Sequence, residues 1–458
     1  MPAHPAPARP VPDSWTAPRR SGPVRASVRV PGSKSLTNRF LVLAALADDD
    51  SVIRHPLDSR DTRLMIGALR SLGAAVDDSD QQHLVVSPVP AGATAADGTV
   101  PTVDCGLAGT VMRFVPPLAA GLGSRVRFDG DPEARVRPMD TVLGALRSLH
   151  VTVTGDQDAT AGEPDTLPFD LDARAGVRGG HLDIDASASS QFVSGLLLAG
   201  CAFDLGLDLR HTGALLPSRP HIDMTLEVLA DAGVLVEEPE PHHWVVEPGR
   251  PRGLDVVVEP DLSNAATFLA AALVTGGTVH VPDWPVHTTQ AGDAFRDIAQ
   301  AFGGSWELDG RGLTVTGPDV LVAVDLDLGA VGELTPVVAA VAACARGTSK
   351  LRGIGHLRGH ETDRLEALRA ELTGAGAEVE AGDDHLVIHS PAQHGHRWRT
   401  YKDHRMVMAG AVLGLAVDGI VLDDPGTVAK TLPQFLDLWE DMVAQDTGGE
   451  DLRGGGAR

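Results

Sequence analysis

The chain has 458 residues, 43% of them hydrophobic and 4% aromatic, with a formal net charge of −24. A single ordinary core does not organise so long a chain, so two domains of about two hundred residues each are expected. The acidic balance argues against a nucleic-acid or anionic-membrane surface, so an anionic ligand has to meet a local concentration of Arg and Lys.

The stretch from Met1 to about Pro23 is rich in Pro and Ala but lacks the continuous apolar core of a signal peptide. Residues 1–19 are expected to be a disordered extension, and the Gly-rich residues 445–458 a disordered tail. The Ala-rich stretches are broken by Gly, Pro or Asp before a membrane-spanning length is reached, so no membrane span is expected and the cytoplasm is the default location. Cys105, Cys201 and Cys344 lie far apart and suggest neither a disulfide frame nor a zinc site.

One pattern then recurs along the chain: a strand, a short polar turn, and an apolar helix that ends at Gly or Asp. Its six openings are VRVPGSKSLTNRFLVLAALADD from Val28, VDCGLAGTVMRFVPPLAAGLG from Val103, IDASASSQFVSGLLLAG from Ile184, VEPDLSNAATFLAAALVTGG from Val258, LDLGAVGELTPVVAAVAACARG from Leu326 and YKDHRMVMAGAVLGLAVDG from Tyr401. After each opening a strand, an amphipathic helix and two short strands are expected, as in DTRLMIGALRSLGAAV from Asp61 and ETDRLEALRAELTGAGAEV from Glu361. Alternating strands and helices predict an α/β architecture. Helix starts rich in Ser, Asn, Thr and charged residues present unpaired N–H groups, which suit phosphate and carboxylate ligands.

At the first start, Gly32-Ser33-Lys34-Ser35 with Asn38 and Arg39 is not a nucleotide P-loop, because Ser33 stands where glycine should precede the lysine. A lysine beside an N-cap is the plainer alternative. Ser187, Ser189, Ser190 and Gln191 open the third helix with more hydroxyl and amide groups than one cap uses. Arg113, Arg135, Arg137, Arg219, Arg364 and Arg405 recur at loop positions, where a solvated face is the plainer reading, but several stand at helix starts or next to Pro, where a guanidinium can grip an oxyanion through two hydrogen bonds, and function is favoured for Arg137, Arg364 and Arg405. Glu333 and Glu361 lie among these cations; each is either a helix-start acid or a proton-transfer group. His360-Glu361-Thr362-Asp363-Arg364 lacks the second histidine of a zinc helix, and His394-Gly395-His396 reads as a loop.

In order, PGSKSLTNR, AGTVMR, RPM, SSQ, SRPHID, ETDRL, DHRM and AKTLP resemble the EPSP synthase (3-phosphoshikimate 1-carboxyvinyltransferase) family of enolpyruvyl transferases, from about Val24 to about Ala444. The resemblance implies a two-domain inverse α/β barrel, each domain built from three βαβαββ units, with a ligand cleft between. Residues 20–31 plus 260–444 would form one domain and residues 32–259 the other. Shikimate 3-phosphate would meet Lys34, Ser35, Arg39, Ser189, Ser190, Gln191, Ser218, Glu333 and His360; phosphoenolpyruvate would meet Lys34, Gly109, Arg137, Gln191, Arg364, Arg405 and Lys430. The catalytic groups implied are Glu333 as base near the 5-hydroxyl, Glu361 for proton exchange at C3, and Lys34 for charge stabilisation or proton delivery. No metal or organic cofactor, no nucleic acid and no membrane are implied, and a monomer is expected.

Three positions depart from the commoner family pattern: Leu107 in place of Asn, Glu333 in place of Asp and His360 in place of Lys. The sister UDP-N-acetylglucosamine enolpyruvyl transferases are an alternative, but their loop cysteine has no counterpart in DGDPEARVRPMD. An RNA 3′-phosphate cyclase finds no support in the charge, and a non-catalytic anion-binding homologue is opposed by the intact set of Lys34, Arg137, Glu333, Glu361, Arg405 and Lys430.

Overall fold

The computed structural model describes residues 12–80, 82–90, 99–155, 165–359 and 361–445. The chain divides into two compact units, Pro31–Glu259 and the pair of stretches Met1–Val30 and Pro260–Arg458. Each unit has its own apolar core.

In the unit Pro31–Glu259 the core is built on helices α1 (Lys34–Leu46), α2 (Gly109–Gly121) and α3 (Ser190–Gly200); in the other it is built on α4 (Leu262–Thr275), α5 (Thr335–Ala342) and α6 (His404–Ala416). Nearly every residue of these helices is buried, as expected of helices apolar on all sides that pack against one another. Within α2, Pro117 has no N–H to give the carbonyl of Arg113, four residues back. Gly195 of α3 packs on that carbonyl oxygen, and a Cβ there would collide with it. The two helices therefore touch backbone to backbone, which fixes their polar starts side by side.

Among the described residues, five of the six sheets have four strands and share one topology. Thr102–Asp104 runs parallel to Arg125–Asp129, which pairs antiparallel with Phe169–Asp172, and Thr152–Gly155 closes the edge. Gly180–Ile184 with Leu207–His211, and Asp325–Asp327 with Ser349–Arg352, open two more such sheets. The remaining two take their first strand from a distant part of the chain: Asp255–Val257 lies parallel to Ser51–Arg54, and Arg25–Ser27 parallel to Thr278–Pro282. These two exchanges are why the chain leaves one unit after Val30 and returns at Pro260.

The sixth sheet departs from expectation. Arg397–Trp398 runs parallel to Val421–Asp423, but Ser14–Thr16 pairs antiparallel with the latter where a C-terminal hairpin was expected, and the helix Phe435–Ala444 follows. Trp15 is buried there and its indole donates to Glu440 Oε1 at 2.9 Å. The part of residues 1–19 from Ser14 onward is thus structured, contrary to the expectation of a disordered extension, because its strand pairs with Val421–Asp423 and Trp15 is buried in the apolar core. Residues 1–11 and 446–458 lie outside the described residues.

Candidate active site

In the unit Pro31–Glu259 the starts of α1, α2 and α3 meet. Ser33 caps α1, its hydroxyl accepting from the Leu36 N–H, and Lys34 and Ser35 form the first turn. Lys34 Nζ stands 3.4 Å from Asp61 Oδ2, a carboxylate buried at the start of the helix Arg60–Ser71. Asn38 donates to Thr110 Oγ1 at 2.7 Å, joining α1 to α2. Gly109 opens α2 without a side chain. A Cβ added there would lie 3.3 Å from Gln191 Oε1, 3.5 Å from Arg113 Nη1 and 3.7 Å from Arg137 Nη1, so these four residues share one small space. Ser189 caps α3, accepting from the Gln191 N–H at 3.3 Å, and Ser190 is buried. Ser218 holds a left-handed backbone, φ 54°, at the start of the helix Arg219–Asp231. For a non-glycine residue that conformation costs about 1–2 kcal/mol, a strain that tends to persist where it positions a group for function.

Arg39 is committed to the protein itself. Its Nε donates to Thr225 Oγ1 at 2.8 Å, Nη1 to Ser35 O at 3.0 Å, and Nη2 to His221 O at 2.9 Å and Ser194 Oγ at 3.4 Å. The guanidinium lies over the Phe114 ring, and burial pulls its pKa down to about 9. At most one of its hydrogens is left for a ligand, so its first role is to lock α1, α3 and the helix Arg219–Asp231 together.

In the other unit the starts of α4, α5 and α6 are joined in the same manner. Arg405 Nη1 donates to the carbonyl of Ser263 at 3.0 Å, and the Ser263 hydroxyl donates to Glu333 Oε1 at 3.4 Å. Arg364 is buried and grips Asp403 with Nε at 2.7 Å and Nη2 at 3.2 Å. Asp403 also caps α6 through the Arg405 N–H at 2.9 Å. Glu361 holds Lys430 Nζ on Oε1, while Arg364 Nη2 lies 3.5 Å and His404 Nδ1 3.1 Å from Oε2, the latter without hydrogen-bond alignment.

The charges are set by this packing. For Glu361, burial favours the neutral acid, but Lys430, His404 and Arg364 outweigh it and hold the carboxyl well below its ordinary value. For Arg364, burial works against the charge, but Asp403, Glu361 and Glu333 hold its pKa above the ordinary value. For Arg405, burial lowers the pKa, only partly offset by Asp261, Glu333 and Asp403. Glu361 is thus an ionised carboxylate beside two buried cations, Lys430 and Arg364.

Donor atoms of Glu361, Asp403 and His404 lie within 4.8 Å of one another, a spacing that a metal ion could bridge. Lys430 already occupies Glu361 and Arg364 both oxygens of Asp403, so an incoming cation would have to displace two resident ones.

Burial lowers His404 from 6.5 to about 4, which leaves the imidazole neutral near pH 7. Between those two values the unfolded chain binds a proton that the folded chain does not, so stability falls as pH drops through that window, by on the order of 3 kcal/mol. The depressed Glu361 adds stability that is present above its ordinary value and lost below it. Thermal unfolding of wild type and His404→Gln across the same range is expected to show the steeper acid loss in wild type; parallel curves would contradict the neutral buried imidazole.

Of the residues singled out in the sequence, Lys34, Ser35, Gly109, Arg137, Ser189, Ser190 and Gln191 stand at one junction of helix starts, and Glu333, Glu361, Arg364, Arg405 and Lys430 at the other. His360 lies outside the described residues. Sequence reasoning missed Asp61, Asp403 and His404. The DHRM string contained the last two, but the Arg364–Asp403 pairing that makes them part of the cluster joins residues 39 apart.

The chain matches the family model for EPSP synthase (3-phosphoshikimate 1-carboxyvinyltransferase) over residues 18–439. It is 54% identical over 441 residues to the 3-phosphoshikimate 1-carboxyvinyltransferase of Kocuria rhizophila, covering 95% of this chain and 97% of that one. Among solved structures it is similar to the EPSP synthase of Acinetobacter baumannii, with TM-score 0.77, 22% identity, and 94% and 98% of the two chains covered. It is also similar to the enolpyruvyl transferase NikO of Streptomyces tendae, with TM-score 0.71, 20% identity, and 93% and 96% covered. These likenesses show the fold: α/β, with each unit an inverse α/β barrel.

Proposed function

The chain belongs to the EPSP synthase family, and on that premise we propose which of its residues carry the reaction. The enzyme transfers the enolpyruvyl group of phosphoenolpyruvate to the 5-hydroxyl of shikimate 3-phosphate and releases phosphate, a step of aromatic amino acid biosynthesis. No helix among the described residues is long and apolar enough to cross a membrane. A monomer working in the cytosol is the simplest form of this reading.

On this reading shikimate 3-phosphate is held by Lys34, Ser35, Ser189, Ser190, Gln191, Ser218, Glu333 and His360, with Arg39 giving at most one hydrogen bond. Phosphoenolpyruvate is held by Lys34, Gly109, Arg137, Gln191, Arg364, Arg405 and Lys430. One observation carries the assignment: in a chain of net charge −24, the buried Arg364 and Lys430 converge on Glu361, and the half-buried Arg405 stands with Arg364 at a helix start bound to Asp403. Two multiply charged anions repel each other, and fixed cations with helix N-termini offset that repulsion.

Glu333 takes the proton of the 5-hydroxyl as its oxygen attacks C2 of phosphoenolpyruvate, while C3 gains a proton and a tetrahedral ketal phosphate forms. In the second step the C–O bond to phosphate breaks and C3 loses a proton, giving the enol ether. Glu361 carries the C3 proton in both steps. Its carboxylate is ionised in the free protein, and the charge that the substrates bring raises its proton affinity when it is needed. Lys34 stabilises the departing phosphate or hands it a proton.

Gly109→Ala tests the phosphoenolpyruvate assignment. Its methyl would press on Gln191 Oε1 at 3.3 Å and lie in contact with Arg113 and Arg137. A rise of roughly tenfold in KM for phosphoenolpyruvate is expected, with KM for shikimate 3-phosphate within about twofold. Equal changes in both constants would remove Gly109, Gln191 and Arg137 from that subsite.

A further inference from the structure

Glu371 has no part in the reaction described above, yet it is a carboxylate buried to 3% exposure in the third turn of the helix Arg364–Gly374. Burying an ionisable group without partners is costly, and Glu371 has three. Its Oε1 accepts from the Tyr401 hydroxyl at 2.6 Å, and its Oε2 from the Arg399 N–H at 3.0 Å and from His396 Nε2 at 2.9 Å. All three donors belong to the segment that leads into α6.

That segment is strained. Tyr401 and Lys402 both hold left-handed backbones, φ 55° each, immediately before Asp403, His404 and Arg405. Two consecutive non-glycine residues in this region persist only where surrounding contacts impose them. The contacts here include the three on Glu371, the Thr400 N–H on Asp423 Oδ1 at 2.7 Å, and the grip of Arg364 on Asp403. The helix Arg364–Gly374 is thus fastened to the segment twice: at its first residue through a substrate-binding arginine, and two turns later through Glu371.

We propose that Glu371 is a positioning residue for phosphoenolpyruvate: by holding Tyr401 and Arg399 it sets the left-handed turn that aims His404 and Arg405 and keeps Arg364 in register with them. The inference rests on the assignment of Arg364 and Arg405 to phosphoenolpyruvate. Shikimate 3-phosphate is assigned neither Arg364 nor Arg405, so its binding is not expected to change. Tyr401 is suited to a fixed donor, since burial and Glu371 together keep its phenol protonated.

The test is steady-state kinetics of the full chain with Glu371→Leu, Glu371→Gln and Tyr401→Phe, alongside thermal unfolding. Leucine removes every acceptor, so KM for phosphoenolpyruvate is expected to rise roughly tenfold while KM for shikimate 3-phosphate stays within about twofold. Glutamine keeps one oxygen for Arg399 and His396 and can donate to the Tyr401 oxygen, so it is expected to restore wild-type constants to within about twofold. Tyr401→Phe deletes one bond at a half-buried position and is expected to raise KM for phosphoenolpyruvate about threefold. If Glu371→Leu does not fold, Tyr401→Phe decides: an unchanged KM for phosphoenolpyruvate overturns the proposal. A lowered unfolding temperature with unchanged kinetics, or a parallel rise in both KM values, overturns it as well. Wild type is assayed first. Failure of wild type to turn over the two substrates rejects the assigned reaction, whereas turnover indifferent to Glu371 and Tyr401 rejects only the positioning role.

Discussion

Glu361→Gln is expected to lower kcat by about a thousandfold while leaving both KM values within a few-fold. The substitution preserves shape in a site where the side chain is only 11% exposed, so packing does not confound it. An amide cannot pass a proton to and from C3, and loss of a positioned acid–base group costs about 10²–10⁴ in rate. Binding should not suffer, because removing a negative charge from between Lys430 and Arg364 leaves those cations freer to meet an anion. Retention of kcat within about tenfold would mean that Glu361 only anchors Lys430, and the C3 proton would then have to be moved by another group.

Glu333→Gln is expected to lower kcat by about a hundredfold or more, again by loss of a base. In the free protein Glu333 accepts a long 3.4 Å hydrogen bond from the Ser263 hydroxyl, and Ser263→Ala, which removes so weak a bond, should change the rate by no more than a few-fold. Glu333→Asp distinguishes charge from reach. It restores the carboxylate commoner in the family but shortens the side chain by one methylene, so it should keep activity within about tenfold of wild type. A Glu333→Gln enzyme as fast as wild type would exclude Glu333 as the base for the 5-hydroxyl.

Much of this was legible because the chain repeats itself. The apolar helix and its polar start recur at an even period, and helix starts are where Lys34, Gly109, Gln191, Glu333 and Arg405 stand. What local pattern could not supply is pairing across distance. Ser14–Thr16 reads as an unstructured Pro- and Ala-rich leader until Trp15 finds Glu440, 425 residues away. Arg39 reads as a ligand for an anion, whereas its donors are taken by Ser35, Ser194, His221 and Thr225, the last three more than 150 residues on. Asp403 and His404 look like an ordinary helix start; only Arg364 and Glu361, from another unit of the repeat, make them part of the site. Glu371 resembles any charged residue on an amphipathic helix until the strained turn at Tyr401 closes over it.

The most direct test of the whole account is phosphate release by the purified protein from phosphoenolpyruvate, with shikimate 3-phosphate in one sample and UDP-N-acetylglucosamine in another. Release with shikimate 3-phosphate alone, lost in Glu333→Ala, is the expected result. Release with the nucleotide sugar alone, or with neither acceptor, would contradict it.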